Sequence, residues 1–382
     1  MGRVRVGGME ILKIFRPGNS TGGIADATIQ VARGAALGCA TTGSHCDLER
    51  PTENRGFSWR DTFMADKRYP GGLMATCCIP WNEKGQFAES IFRRNVRHAL
   101  GGTQMLYVFG TAGEGYAVSD RQFDQIVSAF ADEMRQSGAE PMVGVIGLSL
   151  TTMLERIRRC SDWGVRDFQI SLPSWAALRD IELFSFFDHI CGAFPDCRFM
   201  HYNLPRTKRM VTGKEYGRLA KLHPNLVATK NCGDSLSHLR SLLLDAPELQ
   251  HFLSEAGYVY GSLFGECSIL VSFIMHWPRQ RALYEAGRRG DRETLCAIQK
   301  EIDIVVDCLF EAIPGDRIDG SYDKLFEKMY VPEMPLRLQP PYQGSSDDEY
   351  AKFIALLRQR LPDWVPQAGS HGIAEGKKED NS

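Results

Sequence analysis

From Leu73 onward, short apolar runs alternate with longer stretches in which apolar residues recur every three or four positions. Apolar runs of about four to eight residues between breakers read as buried strands, and the longer period reads as amphipathic helix. Strands are predicted over 73–79, 104–109, 141–147, 166–172, 198–203, 226–230, 250–254 and 269–273. Helices are predicted over 87–100, 120–135, 151–163, 181–193, 212–222 and 235–244. A last helix opens near Pro278, because the fixed φ of proline suits a first helical turn. Ser119 or Asp120 caps the second helix. Eight βα repeats in ~220 residues predict an α/β fold, a parallel (β/α)8 TIM barrel. Alternation alone also permits an open, doubly wound sheet.

The flanks break this pattern. Residues 1–65 carry Gly-rich and Ser/Thr-rich pieces such as Gly18-Asn19-Ser20-Thr21-Gly22-Gly23. They are expected to form a poorly ordered or loosely packed N-terminal arm, with the barrel at 66–290. The competing reading takes Met64 as the true start, and intact mass of the native protein separates the two. Arg3 and Arg5 are not followed by the apolar core of a signal peptide. Additional C-terminal helices are expected at 292–310, 322–329 and 347–361, within a helical region at 291–361. Residues 362–382 form a polar tail, with 369–382 expected to be disordered.

Composition narrows the function classes. A chain of 382 residues, 43% hydrophobic, can bury a large core. Forty-five basic against 47 acidic residues leave a formal charge of −2, which argues against bulk nucleic acid or an anionic membrane as partner. No apolar run approaches the roughly 18 residues of a membrane helix. The 11 cysteines show no paired metal-ligand spacing, so no metal is expected, and free thiols suit a reducing cytoplasm.

The chemistry concentrates at two strand ends. One apolar segment ends in Tyr202, and the next ends in Lys230, 28 positions later (230 − 202). If the two strands are parallel, these tips are neighbours at one end of the sheet. Lys230 follows Leu226-Val227-Ala228-Thr229, a run that should be buried. Burial lowers an amine pKa from its usual value of about 10.4. A neutral amine attacks a ketone to form a Schiff base, and a nearby phenol moves the protons. In the competing reading Lys230 simply emerges into solvent. A Gly-rich stretch, Gly110-Thr111-Ala112-Gly113-Glu114, lacks the Lys-Ser/Thr pair of a P-loop. By itself it reads as a tight turn, although such turns can aim backbone amides at an anion.

Tyr202-Asn203-x-Pro205 followed by Lys230 resembles the dihydrodipicolinate synthase and N-acetylneuraminate lyase family of class I aldolases. The 110–114 stretch resembles that family's Gly-(Thr/Ser)-Thr-Gly-Glu loop, and Thr76, Pro80 and Gly85 resemble its first strand and turn. The resemblance spans roughly 69–290 and is that of a divergent member. It implies that Lys230 forms the Schiff base, that Tyr202 shuttles protons, and that Thr111 hydrogen-bonds the tyrosine. It implies that the amides at Ala112 and Gly113 hold the carboxylate of pyruvate. Ala112 replaces a hydroxyl residue, so weaker or altered carboxylate binding is expected. Glu114 is expected to be structural, at the start of the next helix.

Departures from the family restrict the subfamily. The synthases' substrate arginine falls on Thr207, with Arg206 one residue earlier as a shifted substitute or a surface ion pair. The tyrosine that reaches into a neighbouring subunit aligns with Trp175, which cannot relay a proton as a phenol does. Asn231 stands where glutamate is common. Glu255-Ala256-Gly257-Tyr258 does not reproduce the lyase's acidic sugar-binding pair. Lysine biosynthesis and N-acetylneuraminate cleavage are therefore both disfavoured. Glu266, near the last strand, and Ser254 and Glu255, after the seventh, are further candidates to reach substrate. His201 alternates with Tyr202 and should face the helices. Trp175 and Phe264 faintly favour an apolar or aromatic partner. The resemblance implies a class I aldolase or lyase acting on pyruvate or a related 2-oxo acid, with an aldehyde partner, no cofactor, and a homo-oligomer, tetramer or dimer. The alternative is a non-catalytic 2-oxo-acid-binding or regulatory protein on a retained barrel.

Overall fold

The computed structural model describes residues 3–6, 9–12, 66–233 and 235–366. Near the N-terminus, β1 (Arg3–Val6) and β2 (Met9–Leu12) pair antiparallel, a hairpin the sequence pattern did not suggest. The rest of the predicted arm and the tail beyond 366 lie outside the described residues.

Eight parallel strands close into a ring: β3 (Leu73–Cys77), β4 (Met105–Val108), β5 (Met142–Gly144), β6 (Asp167–Ile170), β7 (Arg198–Asn203), β8 (Leu226–Asn231), β9 (Gln250–Leu253) and β10 (Ser268–Val271). β10 pairs with β3, and that closure decides for the barrel over the open sheet. Helices α1 (Glu89–Leu100), α2 (Asp120–Gln136), α3 (Leu150–Asp162), α4 (Asp180–Ala193), α5 (Gly213–Leu222), α6 (Leu236–Asp245), α7 (Glu255–Gly261) and α8 (Trp277–Arg289) follow the strands. Ser119 and Thr212 close capping boxes with Gln122 and Glu215, which fixes where α2 and α5 begin. No helix among the described residues is long and apolar enough to cross a membrane.

Two apolar layers hold the barrel. The outer one lies between strands and helices, and every second strand residue enters it. The inner one fills the ring with Met74, Met142, Met200, Phe252 and Tyr107. Below it Tyr69 donates to Asp167, which also takes two bonds from Arg198. The pleat then settles orientation at the other end. His201 points outward, its ring 2.6 Å from the Tyr216 hydroxyl on α5, so its neighbour Tyr202 points inward as expected.

Three further helices follow: α9 (Arg292–Ala312), α10 (Gly320–Lys328) and α11 (Asp347–Arg360). A short 3-10 turn follows at Pro362–Trp364, within the predicted polar tail, and Trp364 is buried against Phe273. These helices do not merely lie beside the barrel. α9 and α10 cover the C-terminal mouth and share one apolar core with it. α10 is pinned by Lys324, whose amine is 2.6 Å from Glu114 Oε1, with both side chains fully buried. Glu327 adds bonds from the Cys78 amide and the Asn95 side chain, each 2.7 Å. Glu114 is structural, as expected, but not at a helix start. The helix begins six residues on (120 − 114), at Asp120, and Glu114 instead also takes bonds from Trp81 Nε1 and the Gln339 amide.

Candidate active site

β7 and β8 are adjacent and in register, with Tyr202 opposite Lys230. Both side chains enter the ring beneath α10. Lys230 is 3% exposed. Its Nζ donates to the Tyr107 hydroxyl at 2.6 Å and lies 3.8 Å from the centre of the Tyr202 ring. Burial, only partly offset by acidic neighbours, lowers the amine from 10.5 to about 8. At that value about a tenth of the amines are neutral at pH 7, against fewer than about one in a thousand for an ordinary lysine. Reaction of this amine with a carbonyl compound should therefore rise about tenfold per pH unit from pH 6 and level off near pH 8. Stopped-flow rates that climb without a break through pH 10 would place the amine in ordinary solvent.

The Tyr202 hydroxyl shares a 3.0 Å hydrogen bond with Thr111 Oγ1, and the Cys232 thiol lies 3.7 Å away. Thr111 is delivered by the tight turn after β4. That turn is bracketed by two non-glycine residues in the left-handed region, Phe109 at φ 68° and Glu114 at φ 53°. The strain is held by packing, since Phe109 stacks on Phe123 with ring centres 4.9 Å apart. Among the described residues, the amides of Ala112 and Gly113 have no hydrogen-bond partner. Buried amides left open in this way suit a carboxylate. Gly110 is required for contact. A Cβ there would lie 2.7 Å from the Tyr107 ring and 3.3 Å from Lys230 Nζ. Gly110→Ala should slow the reaction of the amine with a carbonyl compound at least about tenfold, by displacing the amine from its neighbours. Unchanged kinetics of that reaction in the variant would contradict the packing.

Thr76, Tyr107, Thr111, Ala112, Tyr202 and Lys230 line the floor and walls of a cavity of about 110 Å³. Its roof is α9 and α10, with Leu309, Phe310, Tyr322 and Phe326 supplying the apolar part. Asp319, which precedes α10, and Asp323, four residues on and within it, also face it, and burial raises both carboxyls above the usual range. Neither aspartate stood out in the sequence, because an i, i+4 acidic pair on a helix normally marks a solvated face. Tyr107 was missed for another reason: it sits inside the apolar run Met105–Val108. No group of three or more His, Cys, Asp or Glu side chains among the described residues is placed to hold a metal ion.

Other candidates fall elsewhere. Arg206 faces an adjoining cleft and is 3.1 Å from Asp319, an ion pair at the edge of the cavity rather than within it. Thr207 bonds the Leu204 and Arg209 carbonyls. Trp175 is 82% exposed and lines neither space, because the loop after β6 runs outward. Glu266 is exposed and precedes β10. In a parallel barrel the residues before a strand lie at the opposite mouth from the site, so Glu266 does not reach it. Phe264 packs against the outer core, away from the cavity. Ser254 does line the cavity, and Glu255 is a structural acceptor for the Ser272 amide at 2.6 Å, its carboxyl raised to about 7 by burial.

Residues 69–359 match the model of the dihydrodipicolinate synthetase family. Among curated relatives, the 4-hydroxy-tetrahydrodipicolinate synthase of Thermus thermophilus is 27% identical over 166 residues. That match covers 43% of this chain and 55% of the relative, so the chain spans about half the length of that protein. The N-acetylneuraminate lyase of Salmonella agona is 23% identical over 296 residues, covering 76% of this chain and 96% of the relative. Among solved structures, Escherichia coli K12 YagE, a prophage protein of the dihydrodipicolinic acid synthase family in complex with pyruvate, superposes with a TM-score of 0.67. It is 17% identical and covers 76% of this chain and 98% of its own, a likeness that concerns the fold alone.

Proposed function

Because the chain belongs to the dihydrodipicolinate synthetase family, we propose that it is a class I aldolase or lyase that activates pyruvate or a related 2-oxo acid on Lys230. The observation that carries this reading is the Lys230 amine, buried at the floor of a cavity and held near a pKa of about 8 between two phenols. The family supports lyase chemistry in general. The assignment of residues and substrate to this chain is ours.

The neutral Nζ forms a bond to C2 of the 2-oxo acid, and the C2=O pair moves to oxygen. Loss of water leaves an iminium. The iminium draws electrons from a C3–H or C3–C4 bond, giving an enamine that adds to an aldehyde, or one formed by the reverse cleavage. Tyr202, oriented by Thr111, shuttles protons at the substrate. The open amides of Ala112 and Gly113 take the carboxylate. A cavity of about 110 Å³ suits a three-carbon acid, and a larger partner would extend past Arg206 into the adjoining cleft. Arg206 is already paired with Asp319, and Thr207 has no charge to offer, so a second substrate carboxylate lacks a free arginine there. This favours a role outside lysine biosynthesis. The proposal includes a homo-oligomer, dimer or tetramer, with exposed Trp175 as a position where subunits would meet.

Deuterium exchange at the pyruvate methyl group, followed by proton NMR in D2O, tests the reading. The protein should exchange those protons far above buffer, and Tyr202→Phe should slow exchange by about 10²–10⁴-fold. A protein that binds pyruvate without exchanging it would be a non-catalytic binder.

A further inference from the structure

We propose that Tyr107 is the catalytic residue that exchanges protons with the Lys230 nitrogen and the C2 oxygen as the imine forms, leaving Tyr202 to serve the substrate at C3. This rests on the Schiff-base reading above and adds a residue to it.

The two phenols meet the amine differently. Tyr202 comes from the adjacent strand and presents its ring face, with Nζ 3.8 Å from the ring centre. Its hydroxyl is bonded to Thr111, and Nζ lies farther from the centre of the Tyr107 ring, at 4.6 Å. A ring face stabilises a cation but does not exchange protons with it. Tyr107 comes from β4, four strands around the ring of eight and therefore diametrically opposite β8. Its side chain crosses the barrel axis and places the hydroxyl 2.6 Å from Nζ, within the range for direct proton transfer. The ring is 2% exposed and fixed among Met74, Met142 and Met200, so the geometry is preorganised. Gly110 keeps the space beside it clear. Tyr322 also lines the cavity, but its hydroxyl accepts from the Arg317 amide at 3.0 Å, so Tyr107 is the phenol hydrogen-bonded to the amine.

The steps balance. As Nζ bonds to C2 and the carbonyl pair moves to oxygen, one N–H proton passes to the Tyr107 oxygen. The Tyr107 O–H proton passes to the C2 oxygen, giving a neutral carbinolamine. For dehydration the phenol gives a proton to the departing hydroxyl, and the nitrogen lone pair closes C=N. One water leaves, and an iminium and a phenolate remain side by side. Hydrolysis runs the same transfers in reverse. Burial raises the Tyr107 phenol well above its ordinary value, so the acid starts the cycle loaded and ionises only as the iminium appears.

Single-turnover imine formation with pyruvate, followed across pH, tests this. Tyr107→Phe should form the imine about 10²-fold or more slowly than wild type. It should also shift the pH limb below 8, because the amine loses an acceptor that favours its protonated form. A second protein carrying 3,5-difluorotyrosine at position 107 keeps the shape and makes the phenol more acidic, so its alkaline limb should move to lower pH. Tyr107→Phe within about threefold of wild type, or a fluorinated protein with an unchanged profile, would overturn the assignment. Wild-type protein that forms no imine overturns the Schiff-base reading itself, and this assignment with it.

Discussion

Lys230→Met is expected to stop turnover and at the same time make the protein harder to unfold. In the proposed mechanism the amine is the bond-forming atom, so no side reaction replaces it once it is gone. The stability gain has a separate cause. Holding the lysine at a pKa of about 8 rather than 10.5 means that folding disfavours its charged form. That difference corresponds to about 3 kcal/mol at pH 7, less about 1 kcal/mol for the hydrogen bond lost at Tyr107, a net gain of about 1–3 kcal/mol. The sign follows from proton counting. Between pH 8 and about 10.4 the unfolded lysine binds a proton that the folded one does not, so wild-type stability contributed by this group rises with pH across that window. Below pH 8 both states are protonated and the penalty is constant. Urea unfolding at pH 7 and pH 10 should show the variant ahead at pH 7 and the gap narrowing at pH 10. A variant less stable than wild type at pH 7 would mean that the amine is well solvated. On the proposed mechanism, function is held here at the expense of stability.

The second large effect lies in the roof. Lys324→Met should cost about 3–5 kcal/mol, because it leaves the Glu114 carboxylate buried without its cation. Trp81 and the Gln339 amide still donate to that carboxylate, but neither brings charge. Adding Glu114→Gln to the same chain should recover much of the loss, since the buried charge is then gone from both sides. Denaturant unfolding of the two single variants and the double variant measures this directly. A single-variant cost under about 1 kcal/mol, or costs that simply add, would show the pair to be solvent-screened. The pair also matters to chemistry. Glu114 ends the turn that carries Thr111 and Ala112, so loosening α10 loosens the proposed carboxylate cradle.

Much of this architecture can be read from periodicity. Strand 198–203 has the predicted bounds, and α2 begins at its predicted cap. Tyr202 and Lys230 meet because a parallel ring places successive strand tips side by side, and one reading of the pleat sends His201 outward. What escaped has physical reasons. Every strand of a closed barrel is buried on both faces, so the pattern around Tyr107 does not say which face is the interior. Asp319 and Asp323 owe their position to a helix that folds back over the mouth, and Glu114 meets Lys324 across 210 residues of chain. Local patterns carry no such information. Nearness to a strand does not say which mouth of the barrel a residue lies at, and Glu266 precedes its strand. Trp175 was placed by alignment to a residue whose role belongs to a neighbouring subunit, and in this chain it is exposed.

The central claim is that one buried amine reacts with a 2-oxo acid. Borohydride reduction in the presence of pyruvate, followed by intact mass and peptide mapping, tests it most directly. The account predicts one pyruvate-derived adduct per chain, on the peptide containing Lys230, absent from Lys230→Met. An adduct that persists in Lys230→Met, or that maps to another lysine, would contradict it, as would wild-type protein that carries none.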